Sequence, residues 1–208
     1  MIAGFPDSIR QTASVDFPTR WGEFRMIGFE RDLPAYTKPR CESALALIMG
    51  DIKGRPPLVR IHSQCLTGDT LGSLRCDCGE QLQIAFSMIS REGAGILIYE
   101  QKEGRGIGLL AKLGAYELQD LGLDTVEANE KLGLKCDYRE FRLPAGILRH
   151  LGVAKIRLMT NNPDKVSAMQ DAGIEVVERI PCEGAPNPHA RTYLKTKKEK
   201  LGHLFKSL

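Results

Sequence analysis

The stretch LQIAFSMISREGAGILIY, residues 82–99, changes its hydrophobic period halfway along. Leu82, Ala85, Phe86 and Ile89 recur at the spacing that lines one side of an α-helix, and the short apolar run at 95–99 then reads as a buried strand. The same alternation extends in both directions. Upstream, WGEFRMIGF (21–29) alternates apolar and polar side chains as a strand does, and LVRIH (58–62) is a second strand. Downstream, Leu110, Ala111, Ala115, Leu118 and Leu121 mark another helix, followed by a polar loop, a short helix at 147–151 and the strand IRLMT (156–160). In TNNPDK, Asn162 is placed to cap a helix whose first position is Pro163, and IEVVER (174–179) is the last strand. Strands alternating with helices predict an α/β (or α+β) fold, a mixed β-sheet with flanking helices. We expect one domain over 1–208, with an N-terminal arm over about 1–20, where Pro6 and Pro18 interrupt any long element, and a solvated, partly helical basic tail over about 183–208.

Bulk composition narrows the partners. Hydrophobic residues at 42% and charged residues at 26% suit a soluble globular domain rather than a disordered or fibrous chain. A formal charge of +3 is too small to imply a nucleic-acid partner, yet it suits a few Lys and Arg gathered at a phosphate site. Neither a membrane-length apolar run nor a signal-type start is visible, so a cytoplasmic protein is expected. Thiols there stay reduced, so close-set cysteines read first as metal ligands or buried small side chains.

Cys65, Cys76 and Cys78 form such a set, C-x10-C-x-C. In an extended segment the last two side chains share a face, a loop containing Gly68 and Gly72 brings Cys65 round, and nearby Arg75 favours the thiolate forms. Soft sulfur ligands select zinc, and three of them leave the open position typical of a catalytic site. Two other readings stay open: three buried free thiols, or a closed structural site with His62 as fourth ligand. Cys41, Cys136 and Cys182 stand alone and read as ordinary side chains.

Two segments suit a phosphate. EQKEGRGIG (100–108) sets Gly104, Gly106 and Gly108 around Arg105 between a strand and a helix; it ends neither as a Walker A loop nor as a dinucleotide fingerprint, and a turn with a solvated Arg would look the same. The capped helix start at Pro163, with Lys165 on its first turn, is the second. In CDYREF, Asp137 and Arg139 share a face if extended, setting an acceptor beside a cation, as would a solvent-exposed salt bridge.

Taken together, RIHSQCLTGDTLGSLRCDCG, EGRGIGL, DTVEAN, DYREF, TNNPDK and YLKTKKEKLGHL resemble GTP cyclohydrolase II, in that family's order, over roughly residues 15–205. The resemblance implies a dimer of α/β subunits that converts GTP, with magnesium on its triphosphate, to a diaminopyrimidine ribosyl phosphate, formate and pyrophosphate. It makes Cys65, Cys76 and Cys78 the zinc ligands. It places GTP against Arg60, Ile61, His62, Ser63 and Gln64, then Gln81, Glu103, Gly104, Arg105, Thr125, Thr160 and Lys165. It makes Asp137 the proton acceptor, Arg139 a nucleophile or, on physical grounds, a phosphate clamp, and Tyr116 a tyrosine near the site. Gln64 stands where the family often has Glu. A relative that keeps the formyl group or only removes pyrophosphate, and a zinc-stabilised nucleotide-binding module without turnover, are the competing expectations.

Overall fold

A computed structural model describes residues 9–33, 40–135, 137–185 and 187–205. Seven strands form one sheet in the order β1-β2-β3-β5-β4-β6-β7. They are β1 (Ile9–Thr19), β2 (Gly22–Leu33), β3 (Arg40–Met49), β4 (Leu58–Ser63), β5 (Gly95–Glu100), β6 (Lys155–Met159) and β7 (Glu175–Ile180). The pairs from β1 through β3 to β5 are antiparallel, and those from β5 through β4 and β6 to β7 are parallel. The mixed sheet and its helices therefore match the class read from the sequence.

The apolar run of β5 works as a two-faced strand. Ile96 and Ile98 enter one core with Val59 and Ile61 of β4, under α5 (Arg142–His150) and α6 (Pro163–Asp171). Leu97 and Leu58 enter the other, against Ala85, Phe86 and Ile89 of α2 (Cys78–Glu92). Successive side chains point to opposite faces, which is why both faces of these inner strands are apolar. Past Leu58, the α2 face of β4 carries Arg60 and His62. Arg60 Nη2 donates to Gln81 Oε1 of α2 at 2.6 Å, so the sheet core passes directly into a polar region.

Four expectations change. Residues 9–19 are not an arm but edge strand β1, held by its ladder to β2; most of its side chains are exposed, so no apolar period announces it, and Pro18 is tolerated because the strand is at an edge. β3 lies between β2 and β5 and went unread in the sequence. The polar loop after α3 (Leu109–Asp120) contains α4 (Thr125–Lys131), started by a capping box in which Asp124 accepts from Glu127 N–H and Glu127 returns the bond. The stripe on α3 is only partly its buried side: Ala115 is buried, but Leu110 is 81% and Leu121 75% exposed, and Lys112, outside the stripe, is buried. Cys136 lies outside the described residues.

Candidate active site at the carboxyl ends of the parallel strands

Three loops leave the carboxyl ends of β4, β5 and β6 side by side, carrying Cys65, Glu103 to Arg105, and Thr160 to Asn162. The chain passes from β4 to β5 on one side, and β6 pairs with β4 on the other. Such a reversal of strand order opens a crevice where ligands bind in parallel sheets.

The cysteines converge at one side of it. Cys65 precedes the short α1 (Leu66–Asp69), Cys78 opens α2, and all three Sγ atoms lie within 4.8 Å of one another, with Cys65 and Cys76 at 3.7 Å. Sulfurs about 2.3 Å from a tetrahedral metal are separated by about 3.8 Å, so the trio fits such an ion. The convergence does not come from an extended segment, as expected from spacing; Cys78 has entered the helix and Asp77 is its N-cap. Asp69 organises the ring. Its carboxylate accepts from the Cys65 N–H at 3.0 Å, Tyr99 Oη at 2.8 Å and His62 Nε2 at 3.0 Å. His62 is thus committed to Asp69 rather than joining the sulfurs, which leaves three candidate protein ligands.

The protons are shared unequally. Hydrogen bonds from Cys76 and Cys78 hold the Cys65 thiol well below its ordinary pKa, whereas the bond to Cys65 pushes Cys76 up to about 11 and Cys78 well above its usual value. The nearby cation is Lys112, whose Nζ lies 3.1 Å from Cys65 Sγ; Arg75, expected in that role, turns instead to Asp120 and the Tyr116 carbonyl. Gly68 keeps the nest open. A Cβ there would lie 2.9 Å from Cys76 Sγ and 3.1 Å from Cys78 Cβ. Gly68→Ala is therefore expected to lower metal affinity about tenfold or more without removing any ligand, as measured by chelator competition, with circular dichroism unchanged.

The cleft is also cationic. Lys102, Lys112, Arg139 and Lys197 each face a carboxylate, whereas Arg60, Arg105 and Lys165 have no such partner among the described residues. Lys165 Nζ donates to the Ile61 carbonyl at 2.8 Å; its burial and the charges of Arg60 and Arg139 hold its pKa well below the ordinary value. Arg105 sits at φ 60°, a left-handed conformation unusual for a residue with a side chain, and its buried Nη2 has no hydrogen-bond partner. Two amides of this loop, Gly104 and Gly108, are already bonded to Glu103, so the loop offers a guanidinium more than a row of N–H groups.

Most of the sequence-derived residues meet here. Arg60, His62, Ser63, Gln64, Gln81, Glu103 to Arg105, Arg139, Thr160 and Lys165 line the cleft together with Cys65 and Cys78. Asn162 caps α6 through Asp164 N–H at 3.0 Å, as its position implied. Ile61 is buried in the core and reaches the site through its carbonyl. Cys76 is not among the residues that line the cleft. Asp137 grips Arg139 in a two-pronged pair, with Nε–Oδ1 at 2.9 Å, and faces an adjoining cavity. Tyr116 lies one helical turn beyond Lys112, its ring 5.7 Å from that ammonium. Thr125 is not brought to the cleft; it lines a separate cavity, on which Tyr193 also borders.

The tail supplies what the sequence reading missed. It forms α7 (Arg191–Leu201), and Lys197 is buried, 3.3 Å from Asp77 and 4.2 Å from the centre of the Tyr193 ring. Tyr193, Lys197 and His203 all line the cleft, so this basic segment is a wall rather than a solvated tail. The alternation of lysines hid the single one that turns inward.

Fold and site together define an α/β enzyme in which a thiolate centre able to hold a metal faces a cationic cleft. The sequence profile described as GTP cyclohydrolase II matches residues 10–181. GTP cyclohydrolase-2 of Proteus mirabilis is 54% identical over 198 residues, 95% of this chain and 96% of that protein. GTP cyclohydrolase-2 of Buchnera aphidicola is 54% identical over 189 residues, 90% of this chain and 94% of that one. Riboflavin biosynthesis protein RibBA of Chlorobium phaeovibrioides is 51% identical over 198 residues, and the chain spans only 47% of its length. The chain belongs to the GTP cyclohydrolase II family.

Proposed function

We propose that the chain hydrolyses GTP to a diaminopyrimidine ribosyl phosphate, formate and pyrophosphate, the opening reaction of riboflavin biosynthesis. The observation that carries this reading is a cluster of three sulfurs beside a cleft lined by three cations that lack carboxylate partners among the described residues. In this reading Cys65, Cys76 and Cys78 hold zinc, which supplies Lewis-acid activation of water at neutral pH and polarisation of a carbonyl oxygen. Magnesium arrives with the triphosphate. The protein acts in the cytoplasm as a homodimer; Leu110 and Leu113 on α3 and Leu121 just after it are exposed and provide an apolar face for a partner, and no helix among the described residues is long and apolar enough to cross a membrane.

The chain's own groups do the positioning. Arg60, Arg105 and Lys165 face the triphosphate. His62, its pKa lowered by burial, donates its Nε2–H in a hydrogen bond to Asp69, so in this neutral tautomer the buried Nδ1, without a partner among the described residues, is an acceptor suited to a purine N–H. Ser63, Gln64, Gln81 and Thr160 add neutral hydrogen-bonding groups, with Tyr116 packed behind Lys112. Thr125 joins the substrate only if its cavity and the cleft become continuous past Tyr193. Against its burial, Asp137 holds the Arg139 guanidinium firmly protonated, and Arg139 in turn holds the Asp137 carboxyl below its usual range. A guanidinium so stabilised favours the role of phosphate clamp over that of nucleophile.

The test is direct. Purified protein is incubated with GTP and magnesium, with and without a zinc chelator, and formate, pyrophosphate and nucleotide mass are measured. Formate release is expected to stop on chelation while pyrophosphate release persists. Equal loss of both would count against separate duties for the two metals. Zinc-loaded protein that forms no formate would be a relative retaining the formyl group, or, if it also leaves GTP intact, a binding module.

A further inference from the structure

Lys112 is a buried cation to which the family's substrate and metal positions give no duty, and it touches a proposed metal ligand. Lys112, on the first turn of α3, has an ammonium with three protons and three acceptors around it: Cys65 Sγ at 3.1 Å, Thr67 Oγ1 at 2.9 Å and Glu103 Oε1 at 2.8 Å. Its surroundings are built around that position. Glu103 uses its other oxygen to accept the Leu66 N–H at 2.6 Å, tying the loop after β5 to the peptide that follows Cys65. A Cβ on Gly104 would come within 3.3 Å of Lys112 Cβ, so the loop closes tightly over the lysine stem. A buried Lys–Glu pair is weak evidence for stability, because an apolar side chain of similar volume often serves as well or better. Here the pair is aimed at a sulfur, and that direction calls for a functional reason.

We infer that Lys112 is a positioning residue of the metal centre, whose N–H···S bond to Cys65 sets how strongly that thiolate donates to the metal. The inference rests on the zinc reading above. Three thiolates more than cancel the charge of a divalent ion and leave the centre with a net charge of −1 and little residual Lewis acidity. An ammonium bonded to one sulfur draws density away from the metal and offsets that excess charge. Cys76 and Cys78 have no lysine within hydrogen-bond reach among the described contacts, so the effect falls on one of the three ligands. Groups just outside a metal's ligands commonly change affinity or activity by about 10- to 100-fold, which gives the scale to look for.

Cobalt(II) in place of zinc makes the sulfur donation visible as a thiolate-to-metal charge-transfer band. Lys112→Met is expected to move that band to longer wavelength, because a sulfur without its N–H donor gives up electrons more easily, and to weaken zinc about tenfold or more in competition with a chromophoric chelator. Lys112→Arg, which keeps a charged donor, is expected to return the band toward the wild-type position. An unmoved band with unchanged zinc affinity in Lys112→Met would overturn the inference. Where Lys112→Met does not fold, Lys112→Gln carries the same test, a shifted band supporting the inference and an unmoved one overturning it. If the wild-type protein shows no thiolate band at all, the zinc reading itself fails, an outcome distinct from failure of the lysine's role.

Discussion

Cys76→Ser is expected to release the metal and to bring formate production from GTP to background. The reasoning uses a particular feature of this cysteine. Cys65 and Cys78 line the cleft and their loss would also alter its lining, whereas Cys76, 3.7 Å from Cys65 Sγ, is not among the lining residues. A serine hydroxyl stays protonated near neutrality and is a poor zinc ligand, so two sulfurs remain where three are needed. Metal analysis should find the variant largely empty, and circular dichroism should show the sheet intact, because the sheet's two cores are built from other residues. Pyrophosphate release should persist, since the cations facing the triphosphate are untouched. Formate production continuing in metal-free variant protein would remove the basis of the proposed chemistry.

Lys165→Met is expected to weaken GTP binding by at least about 2 kcal/mol, roughly thirtyfold in Kd, because a buried charge that meets its counter-charge only in the complex is lost. The sign of the accompanying pH effect follows from its surroundings. Burial, Arg60 and Arg139 hold the Lys165 pKa below that of a free lysine, so over the interval between the two values the free protein carries it partly neutral. Bound triphosphate raises the pKa toward its ordinary value, so binding takes up a proton, and affinity falls as pH rises through that interval. Conversely, folding of the ligand-free protein gains stability as pH rises there, since the unfolded chain holds the proton that the folded one gives up. Calorimetric titration of GTP in buffers of different ionisation enthalpy measures the uptake directly. Proton uptake by the wild type that vanishes in Lys165→Met is the expected result; equal uptake by both would assign the proton elsewhere.

Much of the site was readable before the fold. The cysteine spacing, the glycines around Arg105, the Asn162 cap with Lys165 behind it and the Asp137–Arg139 pair are local patterns, and the structure draws all of them toward one region, whereas Thr125 lines a separate cavity. Local patterns were misread where burial is set from afar. The leucines of the α3 stripe obeyed helical spacing, yet the helix turns Lys112 inward because Thr67 and Cys65, more than forty residues earlier, and Glu103, nine residues earlier, offer three acceptors. The basic tail carried no sign of which lysine is buried, since Asp77, 120 residues earlier, makes that choice.

What the sequence determined by itself was the class of the fold and the identity of the sulfur trio. Period-two and helical-period runs and close-set thiols are written in consecutive residues, and the physics that reads them acts over a few positions. What only the tertiary structure decided was the company each group keeps: His62 committed to Asp69, Lys112 against Cys65, Lys197 against Asp77, and Arg60, Arg105 and Lys165 left lining the cleft without a carboxylate partner among the described residues. Charge pairing depends on distance in space and on exclusion of water, and both are settled only when β4, β5 and β6 bring their loops together.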